Sequence, residues 1–385
     1  MKNRRKILAV ILALIMAIST VPMSVIAESS AVSGVCGENL TWSYNASTKT
    51  LTVSGTGAMY NYEYDSDSSS YNRPWEEYAN KITSVVIDNG ISTIGNSAFS
   101  GFFYLKNITI PDSVTSIGKK AFWFCDRLET ITIPESVIFI GEEAFYECRS
   151  LTGIKIPDGV TTINKSMFYF CNNLTSVTLP DGLTTIGEGA FNHCISLTSI
   201  KIPDSVTTIG NYAFLSCESL INVIVPDSVT SIGGQAFSFC YGLTDIKLPN
   251  KLTKINERTF EMSYNLKTIS IPKSVTSIDK EAFESCDNLT DVYYSGTKEQ
   301  WNKISIAYKG NKCLRNATIH CVSHNHIDED GNNYCDECGE LLNSIDECDC
   351  NCHKSGISNF FFKFALFFQR LFGSNKTCDC GVAHY

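Results

Sequence analysis

Positive charge is the scarcer sign in this sequence. Its 385 residues carry 31 Lys+Arg against 40 Asp+Glu. Residues 1–27 hold Lys2, Arg4, Arg5 and Lys6 and no acid, so removing them leaves 27 minus 40, a net charge of −13. A chain this acidic lacks the basic patch that phosphate neutralisation requires, which excludes nucleic acid as a partner class. Histidine is nearly missing from the body of the chain: of six, only His193 precedes residue 320. No nucleophile stands beside a base with an orienting partner, so catalysis finds no support and the chain reads as a non-enzyme. Long hydrophobic runs are missing too. The run from Ile7 to Ile18 is too short to span a bilayer comfortably. No Cys follows it closely enough for lipid attachment, and no LPxTG-like sorting sequence is present, so anchoring to a cell needs another route.

What stands at the start is a targeting signal. Four cations precede the apolar run, and Val25, Ile26 and Ala27 lead to a cut after Ala27. A signal peptide over 1–27 implies a secreted or cell-surface protein. The remainder is globular in composition, with 43% apolar and 18% charged residues. Its 17 cysteines are an odd number, so at least one is left outside any intramolecular disulfide.

Self-similarity then fixes the architecture. Leucine recurs every 23 residues from Leu105 through Leu128 and Leu151 to Leu289. Phenylalanine keeps the same period from Phe99 to Phe283, and isoleucine from Ile94 to Ile278. Nine units fill 82–288 and a partial tenth begins at Leu289. Within Leu197–Pro203, Ile200 and Ile202 alternate with polar neighbours, the period of a half-buried strand, and Pro203 ends the ladder because it has no N–H. Val206 to Ile209 predicts a second short strand. The column Gly95, Gly118, Gly141, Asn164, Gly187, Gly210, Gly233, Asn256 and Asp279 predicts a left-handed corner, since Gly, Asn and Asp tolerate positive φ. A short helical turn carrying Ala213, Phe214 and Cys217 then returns the chain. No unit buries its apolar face alone, so the units must stack into a solenoid with parallel strands, its sheet on the order of 45 Å long.

The unit L-x-x-I-x-I-P-x-x-V-T-x-I-G-x-x-A-F-x-x-C resembles the BspA-like, Treponema-type leucine-rich repeats of bacterial surface proteins. Cys36 to Trp42 with Leu51 to Gly57 resembles their β-rich N-terminal cap, and Tyr293 to Trp301 with Ala317 to Ile319 their C-terminal cap. The resemblance implies a β-rich leucine-rich-repeat solenoid of nine-plus repeats used for extracellular recognition: adhesion to host proteins, other cells or glycans. The expected layout is a cap over 28–81, the solenoid over 82–294, a C-terminal cap over 295–319, a zinc knuckle over 320–345 and a Cys-rich tail over 346–385. A structural or self-associating cell-envelope component is the alternative.

Two surfaces are candidates for binding an extracellular protein or glycan. Strand alternation turns Lys155, Lys201, Lys247 and Tyr293 outward among Thr109, Thr132, Thr178, Ile224 and Ser270. A lysine on every second unit suits a ligand with regularly spaced acids, although Ser and Thr are also ordinary solvated strand residues. The second is an aromatic patch on the turn side: Phe102, Phe103, Tyr104, Trp123, Phe124, Tyr146, Tyr169 and Phe170. The cysteine column from Cys125 to Cys240, interrupted at Ser263 and resumed at Cys286, reads as buried, inert core thiols.

After Ile319 the composition changes. Cys321-x2-His324 and Cys335-x2-Cys338 have the spacing of a structural zinc site, with His320 or His326 able to replace His324; disulfide pairing competes with this reading. Cys348, Cys350, Cys352 and His353 precede, and Cys378, Cys380 and His384 follow, an aromatic segment over 357–372. That segment suits peripheral docking on a membrane or partner, or folding back onto a clamped miniature core.

Overall fold

A computed structural model describes residues 32–322. The segment read as a signal peptide and all of the tail beyond Val322 lie outside the described residues. The chain forms a β-solenoid of about ten turns with parallel strands and few helices.

Three antiparallel strands open the molecule: β1 (Val32–Gly37), β2 (Leu40–Asn45) and β3 (Thr50–Gly55). Asn45 closes the β2–β3 turn by accepting from the Ser47 and Thr48 amides, and Lys49 takes a positive φ there. β3 then pairs in parallel with Ser84–Ile87, so the opening sheet runs directly into the repeats. From that point each turn adds one strand to two stacks. The Leu-x-x-Ile-x-Ile strands pair at an offset of 23, as Gly153 with Ser176 and Ser199 with Asn222. The shorter Val-Thr-x-Ile strands do the same, as Ile163 with Ile186 and Ile186 with Ile209. Between them the proline carbonyl accepts from the amide three residues on, Val206 to Pro203 at 3.0 Å, which turns the chain from one stack to the other.

Like side chains therefore lie over like. The Phe rings from Phe99 to Phe283 form one file with neighbouring centroids 5.4–5.9 Å apart, all fully buried. Leu151 and Leu174 sit one rung apart in the same dry interior, both at 0% exposure. Both ends of the file are closed. Trp75 stacks on Phe99 at 6.1 Å and donates its indole N–H to Ala98 O, beside the buried guanidinium of Arg73. At the far end, Asn311 Oδ1 accepts from the Phe283 amide, replacing the carbonyl that Ala282 offers Phe260 one turn earlier.

The cysteine column has a polar task besides its volume. Each thiol donates to the Phe carbonyl of the preceding turn, from Cys125 to Phe99 O at 3.3 Å through Cys286 to Phe260 O at 3.0 Å. Ser263 fills its place with a hydroxyl on Phe237 O at 2.9 Å. Among the described residues every cysteine is a free thiol.

The glycine column differs from its expected role. None of Gly95, Gly118, Gly141, Gly187, Gly210 or Gly233 has positive φ; the left-handed residues stand two and six positions later, as Lys120 and Phe124. Close approach, not chirality, demands glycine. A Cβ on Gly141 would lie 2.4 Å from Lys119 N, and one on Gly233 2.3 Å from Asn211 N. The glycine amide donates to the isoleucine carbonyl of the turn below, Gly118 to Ile94 O at 2.8 Å. Where asparagine stands instead, its side chain takes over: Asn164 Nδ2 reaches Ile140 O at 2.6 Å and Asn256 Nδ2 reaches Ile232 O at 2.7 Å. The short-strand sheet breaks at these two turns, between Phe139–Ile140 and Thr162–Ile163 and again between Ser231–Ile232 and Lys254–Ile255. The main sheet is likewise four ladders rather than one. The return segment is a run of tight turns, because two left-handed residues per unit prevent an α-helical ladder.

Two outcomes follow for stability. Asn164→Ala leaves Ile140 O without its donor and lowers the urea unfolding free energy by about 1–3 kcal/mol, whereas Asn164→Gly, which has no Cβ to keep the backbone amide from approaching Ile140 O as in the glycine units, costs less. Burial pushes the Cys125 and Cys240 thiols from 9.0 up to about 12 and lifts Cys148, Cys194 and Cys217 well above their ordinary value. An acid raised in the folded state favours folding below its unfolded pKa, and that contribution is lost as pH rises from about 9 towards 12. The urea midpoint should fall across this window, and fall less in Cys194→Ser/Cys217→Ser, whose hydroxyls do not titrate there.

Candidate functional site

The turn side owes its shape to hydrogen bonds that alternate in direction. Lys120, Phe122 and Phe124 donate forward to Glu142, Ala144 and Tyr146, while Ala121, Trp123 and Cys125 donate back within their own unit. Phe122 and Cys125 thereby point inward, and Trp123 and Phe124 are left half-buried at the surface. The positive φ at Phe124, Glu147, Phe170 and His193 holds one side chain per unit at the same slot, half-buried except at Glu147, which is buried.

These side chains assemble into a stripe. Phe103 meets Phe124 at 6.0 Å, and Trp123 lies 4.1 Å from Phe124 and 5.9 Å from Tyr146. Tyr146 stacks on Tyr169 at 4.8 Å with the rings 4° apart, and Phe170 stacks on His193 at 4.2 Å. Glu147 interrupts the slot but pairs with Arg149, whose guanidinium sits 5.5 Å over Phe124. His193 was legible only as an exception in an aromatic column; burial holds its imidazole below the ordinary value, and Nδ1 lies 2.6 Å from Asn192 Oδ1. Phe102 is a correction. It occupies the cysteine slot, 23 residues before Cys125, and is fully buried against Phe99, so it is not part of the surface.

On the sheet side, Lys155, Lys201 and Lys247 are exposed. Lys155 pairs with Glu135 of the preceding turn, which raises its pKa, whereas Lys201 and Lys247 form no ion pair among the described residues. Ile224, in register with Lys201, is 53% exposed, making the face mixed rather than uniformly polar. At its C-terminal end Lys247, Ser270, Tyr293 and His320 form one row across four strands, edging a groove of about 140 Å³. Tyr293 stacks on His320 at 4.8 Å, and His320 Nε2 lies 2.7 Å from Asp291 Oδ1, holding that carboxyl below the usual range. The 27-residue spacing from Tyr293 hid His320 from a search at period 23, and its cysteine neighbours suggested a metal ligand instead.

Of the residues expected to bind zinc, Cys321 is described, as is His320, one of the alternatives to His324. Cys321 sits half-buried in the last strand, Thr318–Cys321, paired with Tyr294. His324, Cys335, Cys338, Cys348, Cys350, Cys352, His353, Cys378, Cys380 and His384 lie outside the described residues, as does the segment 357–372. Among the described residues no cluster of three metal-ligating side chains occurs, and no helix is long and apolar enough to cross a membrane.

The repeat columns match a family model, the BspA type leucine rich repeat region, in six copies over residues 77–197 and 184–313. Among solved structures, a leucine-rich repeat protein from Eubacterium ventriosum is similar at 21% identity and TM-score 0.43, over 68% of this chain and 84% of that one. A leucine rich cell surface protein from Faecalibacterium prausnitzii is 28% identical over 71% of this chain and 97% of its own, with TM-score 0.34. The pneumococcal vaccine antigen PcpA is 16% identical over 76% and 98%, with TM-score 0.38. No curated protein matches the chain. The matched span from 77 to 313 exceeds half of the 385 residues, and the protein belongs to the BspA-type leucine-rich repeat family.

Proposed function

We propose that this protein is a secreted or cell-surface recognition protein that binds an extracellular protein or glycan. The observation that carries the reading is the half-exposed aromatic stripe from Phe103 to His193, running through five successive units. A solenoid turn needs only its columns to stay folded, so nothing in the core requires aromatics at these outward slots. Later units place Ser216 and Ser285 in the slot that Phe124 and Phe170 fill, with Phe239 and Met262 between them, so the slot accepts polar and apolar side chains alike. Rigid rings fixed in a row lose little entropy on contact and present flat apolar faces, which suits either a protein hot spot or sugar rings. Lys120 and Arg149, held over Trp123 and Phe124, add hydrogen-bond donors along the stripe. The row Lys201, Lys247 and Tyr293 on the sheet face is a second contact surface on the same rigid platform.

An array of extracellular proteins and glycans, probed with the full-length chain, tests this. The expected result is saturable binding that Tyr146→Ser/Tyr169→Ser weakens by about 2 kcal/mol or more without moving the urea midpoint substantially. Ordered assembly of the chain with no binder would favour the envelope-component alternative, and binding indifferent to the double substitution would remove the stripe from the reading.

A further inference from the structure

A groove of about 380 Å³ opens where the first hairpin meets the first repeat, and its walls are tyrosine and its rim cationic. The β2–β3 hairpin supplies Tyr44 and Lys49. The 3-10 turn Glu76–Tyr78 supplies Tyr78, and a tight turn closed by Lys81 N on Tyr78 O at 2.7 Å supplies Lys81. The first repeat adds Tyr104, 43% exposed. Tyr44 stacks on Tyr78 at 4.6 Å and so fixes that wall. Lys81 Nζ lies 5.4 Å over the Tyr78 ring, and the Arg127 guanidinium 4.8 Å over Tyr104.

The charges here are free. Lys119, Lys120 and Arg149, one or two turns further on, each have a carboxylate partner. Lys49, Lys81 and Arg127 form no ion pair among the described residues. In so acidic a chain, three unneutralised cations around one aromatic groove mark a place where an anion is welcome. The backbone is already spent. Thr83 N donates to Lys49 O at 3.0 Å, and Lys106 N donates to Thr83 O at 2.9 Å, so a peptide cannot add as a strand. Recognition must come from ring faces and side-chain charge. The volume lies within the range of about 300–1,000 Å³ typical of small-ligand sites.

We propose that this groove binds an acidic saccharide, a uronate-type sugar whose ring lies against Tyr78 and Tyr104 and whose carboxylate meets Lys49 and Lys81. Glu77 stands at the Tyr78 hydroxyl and raises that phenol's pKa. Its charge repels an acid there and orients the ligand's carboxylate to the lysine rim. Tyr104 follows Phe103 of the stripe in the chain, but the site does not depend on the binding proposed for the stripe.

Calorimetry of the full-length protein with a galacturonic acid trimer tests the proposal, with a galactose trimer and a glutamate tripeptide as controls. The expected result is saturable binding of the uronate trimer that weakens with added salt. Lys49→Glu/Lys81→Glu should weaken it about tenfold or more, the loss of two charge-assisted contacts. Both lysines are exposed, so the thermal midpoint of this variant should stay unchanged. Tyr146→Ser/Tyr169→Ser should leave uronate binding intact, which separates this site from the stripe. No saturable binding, equal binding of the galactose trimer or the tripeptide, or indifference to the charge reversal would each overturn the assignment.

Discussion

Every turn of this protein can hide its apolar flank only against the turns on either side. That constraint forces like residues into register, and the file of phenylalanines is where it is tightest. With rings 5.4–5.9 Å apart and no exposure, a turn that shifted its strand by one position would drive the whole column out of contact. Hydrogen bonds obey the same rule. Glycine and asparagine amides donate to the isoleucine carbonyl one turn below, and cysteine thiols to the phenylalanine carbonyl one turn below.

The columns were therefore the legible part of the fold. Leu, Phe and Ile at a fixed period need no coordinates to be read as a stacked interior, because period and burial are the same fact in a solenoid. What could not be read is where backbone meets backbone. Gly118 and Asn164 share a column, and both tolerate positive φ, so chirality was the natural explanation. Only the approach of Lys119 N to Gly141, and the reach of Asn164 to Ile140 O, show that spacing and hydrogen bonding decide the column instead.

The candidate site was half legible for a related reason. Trp123, Tyr146 and Tyr169 broke the pattern of small polar residues and so stood out. Phe102 stood out equally, yet its column is inward, and column membership is the better guide than residue type. His320 was obscured because extra residues around the helix Lys298–Trp301 shift the last strand out of phase. The surfaces proposed for binding lie at positions the columns leave free, and at the two ends of the repeat.

A double-mutant cycle reads the central claim most directly. Phe191→Leu and Phe214→Leu, adjacent in the file, should couple by about 0.5–1.5 kcal/mol in urea unfolding. Phe168→Leu and Phe237→Leu, three turns apart, should add independently within about 0.5 kcal/mol. Equal coupling in both pairs, or none between the neighbours, would contradict an interior built from contacts between successive like residues.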